Sequence, residues 1–408
     1  MVEGRVAACG DYAGLRDAHP GVRTIDLRGG FLLPGFIDTH THFPQLRVLG
    51  GLGRSLLDWL EHCALPEEAR MADHAYACQV AREFVHALVS HGTTTALVFG
   101  AHFAPATAAL FEAAEATGLR IATGQVLSDR RLRPDLHQTP TRAYRESKLL
   151  IERFHQHGRH AGGRRMTYAV TPRFALSTSE AILEVCQTLL AEHEGLLLQT
   201  HINESLDEIA EVGRLFPWAG DYLAVYERFG LNRRRAVMAH DVHPTESELE
   251  RLATAGTTVA HCPSSNAALG SGLFPLKRHI QAGVRCALGT DVGGGTGFGM
   301  LKEGLQAYLL QRIAPDGMLL DAGHLLYLAT LAGADALGLG EETGDLRPGK
   351  SADLVYLRAP ANSPLAAVLA REQSPEQRLA AIFTLAGAES VREVRVAGSV
   401  VYSTAEEP

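Results

Sequence analysis

Several absences narrow what this chain can be. No uninterrupted apolar run reaches the roughly 18 residues that a spanning helix needs, so no membrane partner is expected. No apolar segment follows a basic start, and no secretory leader is expected. Cysteine is sparse. Cys9, Cys63, Cys78, Cys186, Cys262 and Cys286 lie without paired spacing, which predicts free thiols in a reducing cytoplasm rather than a disulfide framework. Excess charge is small: a net charge of -8 gives no reason to expect nucleic acid or an anionic surface as partner. There is no internal repeat and no low-complexity segment.

What remains is a chain of 408 residues, 46% hydrophobic, long enough for a large core. Eight short apolar runs recur at 31–38, 93–99, 121–127, 166–172, 196–201, 236–240, 257–261 and 285–291. Between them lie helical patterns, among them 74–92, 179–195 and 245–256, the last with a capping-box pair at Thr245 and Glu248. Short strands alternating with amphipathic helices predict parallel β/α units, and eight of them predict a closed (β/α)8 barrel of the TIM type over 31–342. The flanks, 1–30 and 343–408, alternate and are rich in Val, Gly and Pro. They predict one small β-sandwich built from both chain ends, with 361–385 as helix and loop on the outside.

Polar residues cluster where the runs end. The first, FLLPGFIDTHTHFPQ, closes on His40 and His42; LLLQTHINE closes on His201 and Glu204; AVMAHDVH on His240; CALGTDVGGG on Asp291. Strand ends of a parallel barrel converge on one mouth, and residues i and i+2 of a strand share a face. His40, His42, His201 and Asp291 can therefore hold one divalent metal with a position open for water, which predicts metal-assisted hydrolysis. Glu204, three residues past His201, is placed to shuttle protons, the alternative being an acid at the start of the helix that follows. His240 either joins the ligands or hydrogen-bonds the activated water, and the second is expected. The fourth run, MTYAVTPRF, has no lysine to supply a bridging carbamate, so one metal is expected. Zinc is favoured, while iron accepts the same donors.

Other patterns carry less. With 19 His in the chain, roughly one HxH pair arises by chance. The pair His155 and His157, at a polar helix end, reads as solvated surface. Cys262 beside His261 is not needed by the metal set. GDLRPGKS at 344–351 matches the phosphate-loop pattern, but Pro348 removes an amide and a strand-like ADLVYL follows, so a turn with an exposed Lys350 is expected. The other zinc deaminase scaffold needs HxE followed by PCxxC, and that pairing is missing.

With these residues in view, the chain resembles the amidohydrolase superfamily and, within it, the guanine deaminases. PGFIDTHTH, THINE, AHCPSSN and GTDVGGG carry the first resemblance; HFPQ, LLDWLEHCALPEEAR, SHGTTTALVFGAHF, YAVTPRFALSTS and SNAALGSGLFPLK carry the second. Members of that family usually have several dozen residues ahead of the segment matching GRVAACG, which puts the small domain's first strands in question. The resemblance implies hydrolytic conversion of guanine to xanthine and ammonia, by a cytoplasmic homodimer. It implies zinc on His40, His42, His201 and Asp291, proton transfer by Glu204 and Asp291, and His240 beside the reacting oxygen. Gln45, Arg173 and Phe174 would line the purine site, with His42, His201, Glu204 and Asp291 also bordering it. Relatives on this scaffold process other nucleobases, triazines or pterins, which is the rival enzymatic reading. A barrel that has lost catalysis and serves as a scaffold is the non-enzymatic one, and it predicts gaps in the metal set.

Overall fold

The computed structural model describes residues 1–155, 165–371 and 374–404. Thirteen strands occur among them. They are β1 (Phe31–Pro34), β2 (Phe36–His42), β3 (Thr93–Phe99), β4 (Arg120–Gly124), β5 (Val126–Leu127), β6 (Met166–Pro172) and β7 (Leu197–Ile202), followed by β8 (Ala236–His240), β9 (Thr258–His261), β10 (Arg285–Leu288), β11 (Leu354–Leu357), β12 (Val391–Val396) and β13 (Ser399–Ser403).

Strands β2, β3, β4, β6, β7, β8, β9 and β10 are parallel neighbours in that order, and β5 adds a short pairing with β6. Their residues are buried almost throughout, as expected of strands covered on both faces. The seam between the last and first strands is drawn together just past β10. There Asp291 N–H donates to the His40 carbonyl at 2.8 Å and His42 N–H to the Val292 carbonyl at 2.9 Å. Side chains reinforce the seam: Asp38 accepts from Thr290 N and Oγ1, and Thr39 Oγ1 donates to the Leu288 carbonyl. A nearly closed eight-stranded barrel results.

Helices pack outside it for readable reasons. Helix His74–Ser90 is capped by Asp73 and buries Val80, Phe84 and Leu88, spaced four apart. Helix Glu246–Ala255 begins with the Thr245–Glu248 capping box and ends at Gly256 in the left-handed region.

The small unit is a four-stranded antiparallel sheet, β1-β11-β12-β13, drawn from both sides of the barrel in sequence. The run expected at 31–38 is thus two strands in two sheets, split at Gly35, where a Cβ would come within 2.2 Å of Thr94 Oγ1. The changeover from sheet to barrel falls there rather than after residue 30. Residues 1–30 contribute no extended strand. They hold isolated bridges at Val2 and Arg5 and the helix Tyr12–Ala18, capped by Asp11. Buried Asp353 ties sheet to barrel, accepting from Arg120 on β4, Thr343, Ser351 and Ala397 N–H. The region 361–385 carries helices Pro364–Leu369 and Pro375–Leu385.

Two surface expectations are corrected. Lys350 is buried, donating to the Thr343 carbonyl and Asp345, because the turn folds back under the sheet. His155 is buried too, between the Glu194 carbonyl and Tyr168 N–H; His157 lies outside the described residues. No helix among the described residues is long and apolar enough to cross a membrane.

Candidate metal centre and substrate pocket

His40 and His42 end β2 on one face, and Phe99 at the end of β3 packs against both rings. Gly289 makes room behind them: a Cβ there would lie 2.7 Å from His40 Cβ. His201 sits one residue from the end of β7. Its Nδ1 donates to the Arg173 carbonyl at 2.5 Å, which fixes the tautomer and turns the Nε2 lone pair inward. Asp291 lies three residues past β10 at φ 48°, a left-handed turn that swings its carboxylate back over the barrel mouth.

Their ligand atoms converge. His40 Nε2 is 3.2 Å from His42 Nε2, which is 3.2 Å from His201 Nε2. Asp291 Oδ1 is 3.3 Å from His40 Nε2 and 3.2 Å from His42 Nε2. Donors on a tetrahedral ion with bonds of about 2.0 Å stand about 3.3 Å apart, so the spacing fits one divalent metal. The chemistry of the set fits as well. Burial pushes the His40 imidazole down to about 3 against the pull of Asp291, and burial also lowers His42 and His201. Neutral rings leave lone pairs for a cation. Burial opposes the Asp291 charge, yet the facing imidazoles of His40 and His42 hold its carboxyl well below the usual range. Ser265 Oγ donates to Asp291 Oδ2 at 2.6 Å and helps to aim it.

Glu204 and His240 form a second layer. Their Oε2 and Nε2 are 3.5 Å apart, and His240 Nε2 is 4.0 Å from Asp291 Oδ2. Burial pushes the Glu204 carboxyl up to about 7, so it can hold or release a proton near neutrality. Burial works against charge on His240, but Glu204 and Asp291 outweigh it and raise its pKa. Asn266 Oδ1, 2.9 Å from Nδ1, accepts its other proton. The alternative role for Glu204, opening the following helix, is filled instead by Ser205 with Glu208 in a capping box, leaving the Glu204 carboxylate to Ser271 and the mouth. His240 itself has φ 75°.

One pocket is lined by His42, Gln45, Arg173, Phe174, His201, Glu204, His240 and Asp291, together with Leu56, Trp59, Leu60 and Leu269. His40 is not among the lining residues but packs against three of them, His42, His201 and His240. The structure thus brings every residue expected at the metal and substrate site to one place. Arg173 also makes the ion pair that a structural role would require, but inside the barrel mouth, with Glu68 at 2.7 Å. Glu68, Trp59, Leu60, Ser265 and Asn266 escaped sequence reasoning, although all five lie within segments that carry the resemblance. Nothing local distinguishes Glu68 from Glu67, because which one faces inward depends on where the Leu65–Ala69 helix docks. Cys262 is buried, its thiol pushed up by burial, and lines no part of the pocket.

The amidohydrolase family model matches residues 31–401. A probable guanine deaminase of Deinococcus radiodurans is 58% identical over 405 residues, covering 98% of this chain and 91% of that protein. The solved guanine deaminase of E. coli superposes with a TM-score of 0.94 at 39% identity, covering 99% of this chain and 92% of that one. Guanine deaminase from C. acetobutylicum, solved with guanine bound in its active site, superposes with a TM-score of 0.90 at 25% identity, covering 98% and 94%. This chain belongs to the amidohydrolase family and, within it, to the guanine deaminases.

Proposed function

We propose that the chain hydrolyses guanine to xanthine and ammonia, with one zinc ion on His40, His42, His201 and Asp291. The observation that carries the reading is the convergence of the His40, His42, His201 and Asp291 donor atoms on one another through contacts of 3.2–3.3 Å, beside an acid, Glu204, raised to about 7, in a pocket that also holds Arg173 and Gln45. A zinc ion there supplies a Lewis acid that lowers the pKa of a water from about 16 towards 7.

The residues do the rest. Asp291 Oδ2, turned towards His240, takes the proton that the attacking water gives up. Glu204 delivers its proton to ring nitrogen 3, which lets carbon 2 accept the nucleophile; as a carboxylate it then takes the proton of the new hydroxyl and passes it to the departing amine, and the proton held by Asp291 afterwards restores Glu204. His240 donates from Nε2 to the oxygen that gains charge at carbon 2, its ring held by Asn266. Arg173 donates to oxygen 6, Gln45 offers a donor and an acceptor to the ring edge, and Phe174 packs on the ring face. Adenine lacks the oxygen and leaves the Arg173 donors unpaired, so it is a poor substrate, a type of mismatch that costs about 10⁴-fold. The six free cysteines support a reducing cytoplasm. Exposed Leu309 and Ile313, one turn apart on helix Met300–Ile313, support association into a homodimer.

The test is ammonia release from free nucleobases, with and without a chelator, alongside metal analysis. Guanine should be turned over with xanthine as product, and chelation should stop it. Turnover of a pterin, a triazine or another base in place of guanine would transfer the reading to a different substrate.

A further inference from the structure

One carboxylate that does not border the pocket organises two side chains that do. Glu68 is 3% exposed on the short helix Leu65–Ala69. Its Oε1 accepts from Gln45 Nε2 at 2.7 Å and from Arg173 Nη1 at 2.8 Å. Its Oε2 accepts from Arg173 Nη1 at 2.7 Å, with His102 Nδ1 3.3 Å away. These contacts have two consequences. Arg173 spends Nη1 on Glu68, while its Nε and Nη2 have no acceptor among the described residues, so Glu68 sets where the unspent donors point. Gln45 is fixed in one amide orientation. Nε2 must face the carboxylate, and Oε1 accepts from Gly293 N–H at 3.2 Å, whereas a flipped amide would set oxygen against oxygen. One N–H and one lone pair of Gln45 are left for a ligand.

We propose that Glu68 is a positioning residue that sets the preference for a purine carrying oxygen at carbon 6, acting through Arg173 and Gln45. The inference rests on the guanine reading of the pocket. In Glu68→Gln the amide oxygen can keep both contacts of Oε1, but an N–H replaces the Oε2 that accepts from Arg173 and the ion pair is lost, so the variant releases Arg173. Small misplacements of a substrate-holding group cost about 10²-fold.

The experiment compares guanine with 2-aminopurine, which has the same 2-amino group and no oxygen 6, by turnover and by competitive inhibition. Glu68→Gln should lower kcat/KM for guanine by about 10²-fold and move 2-aminopurine by less than about threefold. Glu68→Asp, which keeps the charge on a shorter arm, should show the same selectivity with a smaller loss. In an Arg173→Ala background, adding Glu68→Gln should cost guanine less than about threefold further, because the two act in series. Metal content should not change. Should Glu68→Gln fail to fold, Glu68→Asp decides by the same ratio. Equal losses for both purines, or undiminished guanine turnover, would overturn the inference. A wild-type enzyme inactive on guanine would instead overturn the reading beneath it.

Discussion

At the scale of single residues, the site sorts its acids by what surrounds them. Asp291 faces His40 and His42 and stays ionised despite burial, whereas Glu204, buried with Glu208 and Asp291 nearby, is pushed up to about 7. Two carboxylates in one pocket are thereby suited to different jobs, and on the proposed reading one serves as ligand and base, the other as a proton carrier. Glu204→Gln keeps shape and removes only the titrating proton. It should lower kcat by about 10²- to 10⁴-fold while zinc content and guanine affinity persist, as read by metal analysis and by equilibrium binding. Full turnover in that variant would leave Glu204 without a proton role. Much of this layer is legible in the sequence, since HxH at the end of an apolar run is enough to put His40 and His42 on one face of a strand. Asp291 is harder. Its carboxylate reaches the cluster through a left-handed turn past the strand, and nothing in CALGTDVGGG fixes that φ. Glu68 is harder still, because its partners Gln45 and Arg173 are distant in sequence and come from two other segments.

At the scale of elements, the alternation of runs and helices suffices for the barrel because strands covered on both faces are simply apolar. It does not suffice at 31–38, where one continuous run serves two sheets and only the Thr94 contact at Gly35 shows the break. It fails at Lys350 as well, whose burial depends on Asp345 and the Thr343 carbonyl rather than on any pattern. Helix Met300–Ile313 shows what burial costs an element. It turns Glu303 into the interior, where the carboxylate accepts from Ser264 N–H and Oγ, and burial pushes it up to about 8. In the unfolded chain the same group ionises near its ordinary value of 4.5. Between about pH 4.5 and pH 8 the folded state holds a proton that the unfolded state has lost, so this group's contribution falls as pH rises through that window. Glu303→Gln removes the dependence. Thermal unfolding at about pH 5 and about pH 9 should show the variant gaining on the wild type at the higher pH. A difference that is flat or reversed would mean that Glu303 stays ionised in place.

At the scale of the whole molecule, the proposed metal ligands come from strands that meet only because the barrel closes. His40 and His42 belong to the first barrel strand, while Asp291 follows the last, and the seam between them rests on two backbone hydrogen bonds, the Asp38–Thr290 contacts and the Thr39–Leu288 hydrogen bond. An ion shared by His40, His42 and Asp291 crosslinks that seam. The ligand atoms of His40, His42 and His201 lie within 4.8 Å of one another, a crowding of lone pairs that a cation relieves. Binding to the folded chain alone stabilises by about 4 kcal/mol when free metal exceeds Kd a thousandfold. The metal-stripped protein should therefore melt at a lower temperature than the loaded one, and its melting point should climb as zinc is titrated back. Asp291→Ala should lose that zinc dependence, because it deletes the donor on the far side of the seam. A melting point indifferent to zinc in the unmodified protein would mean that the ion does not span the first and last strands, and the ligand set would have to be redrawn from His201 outward.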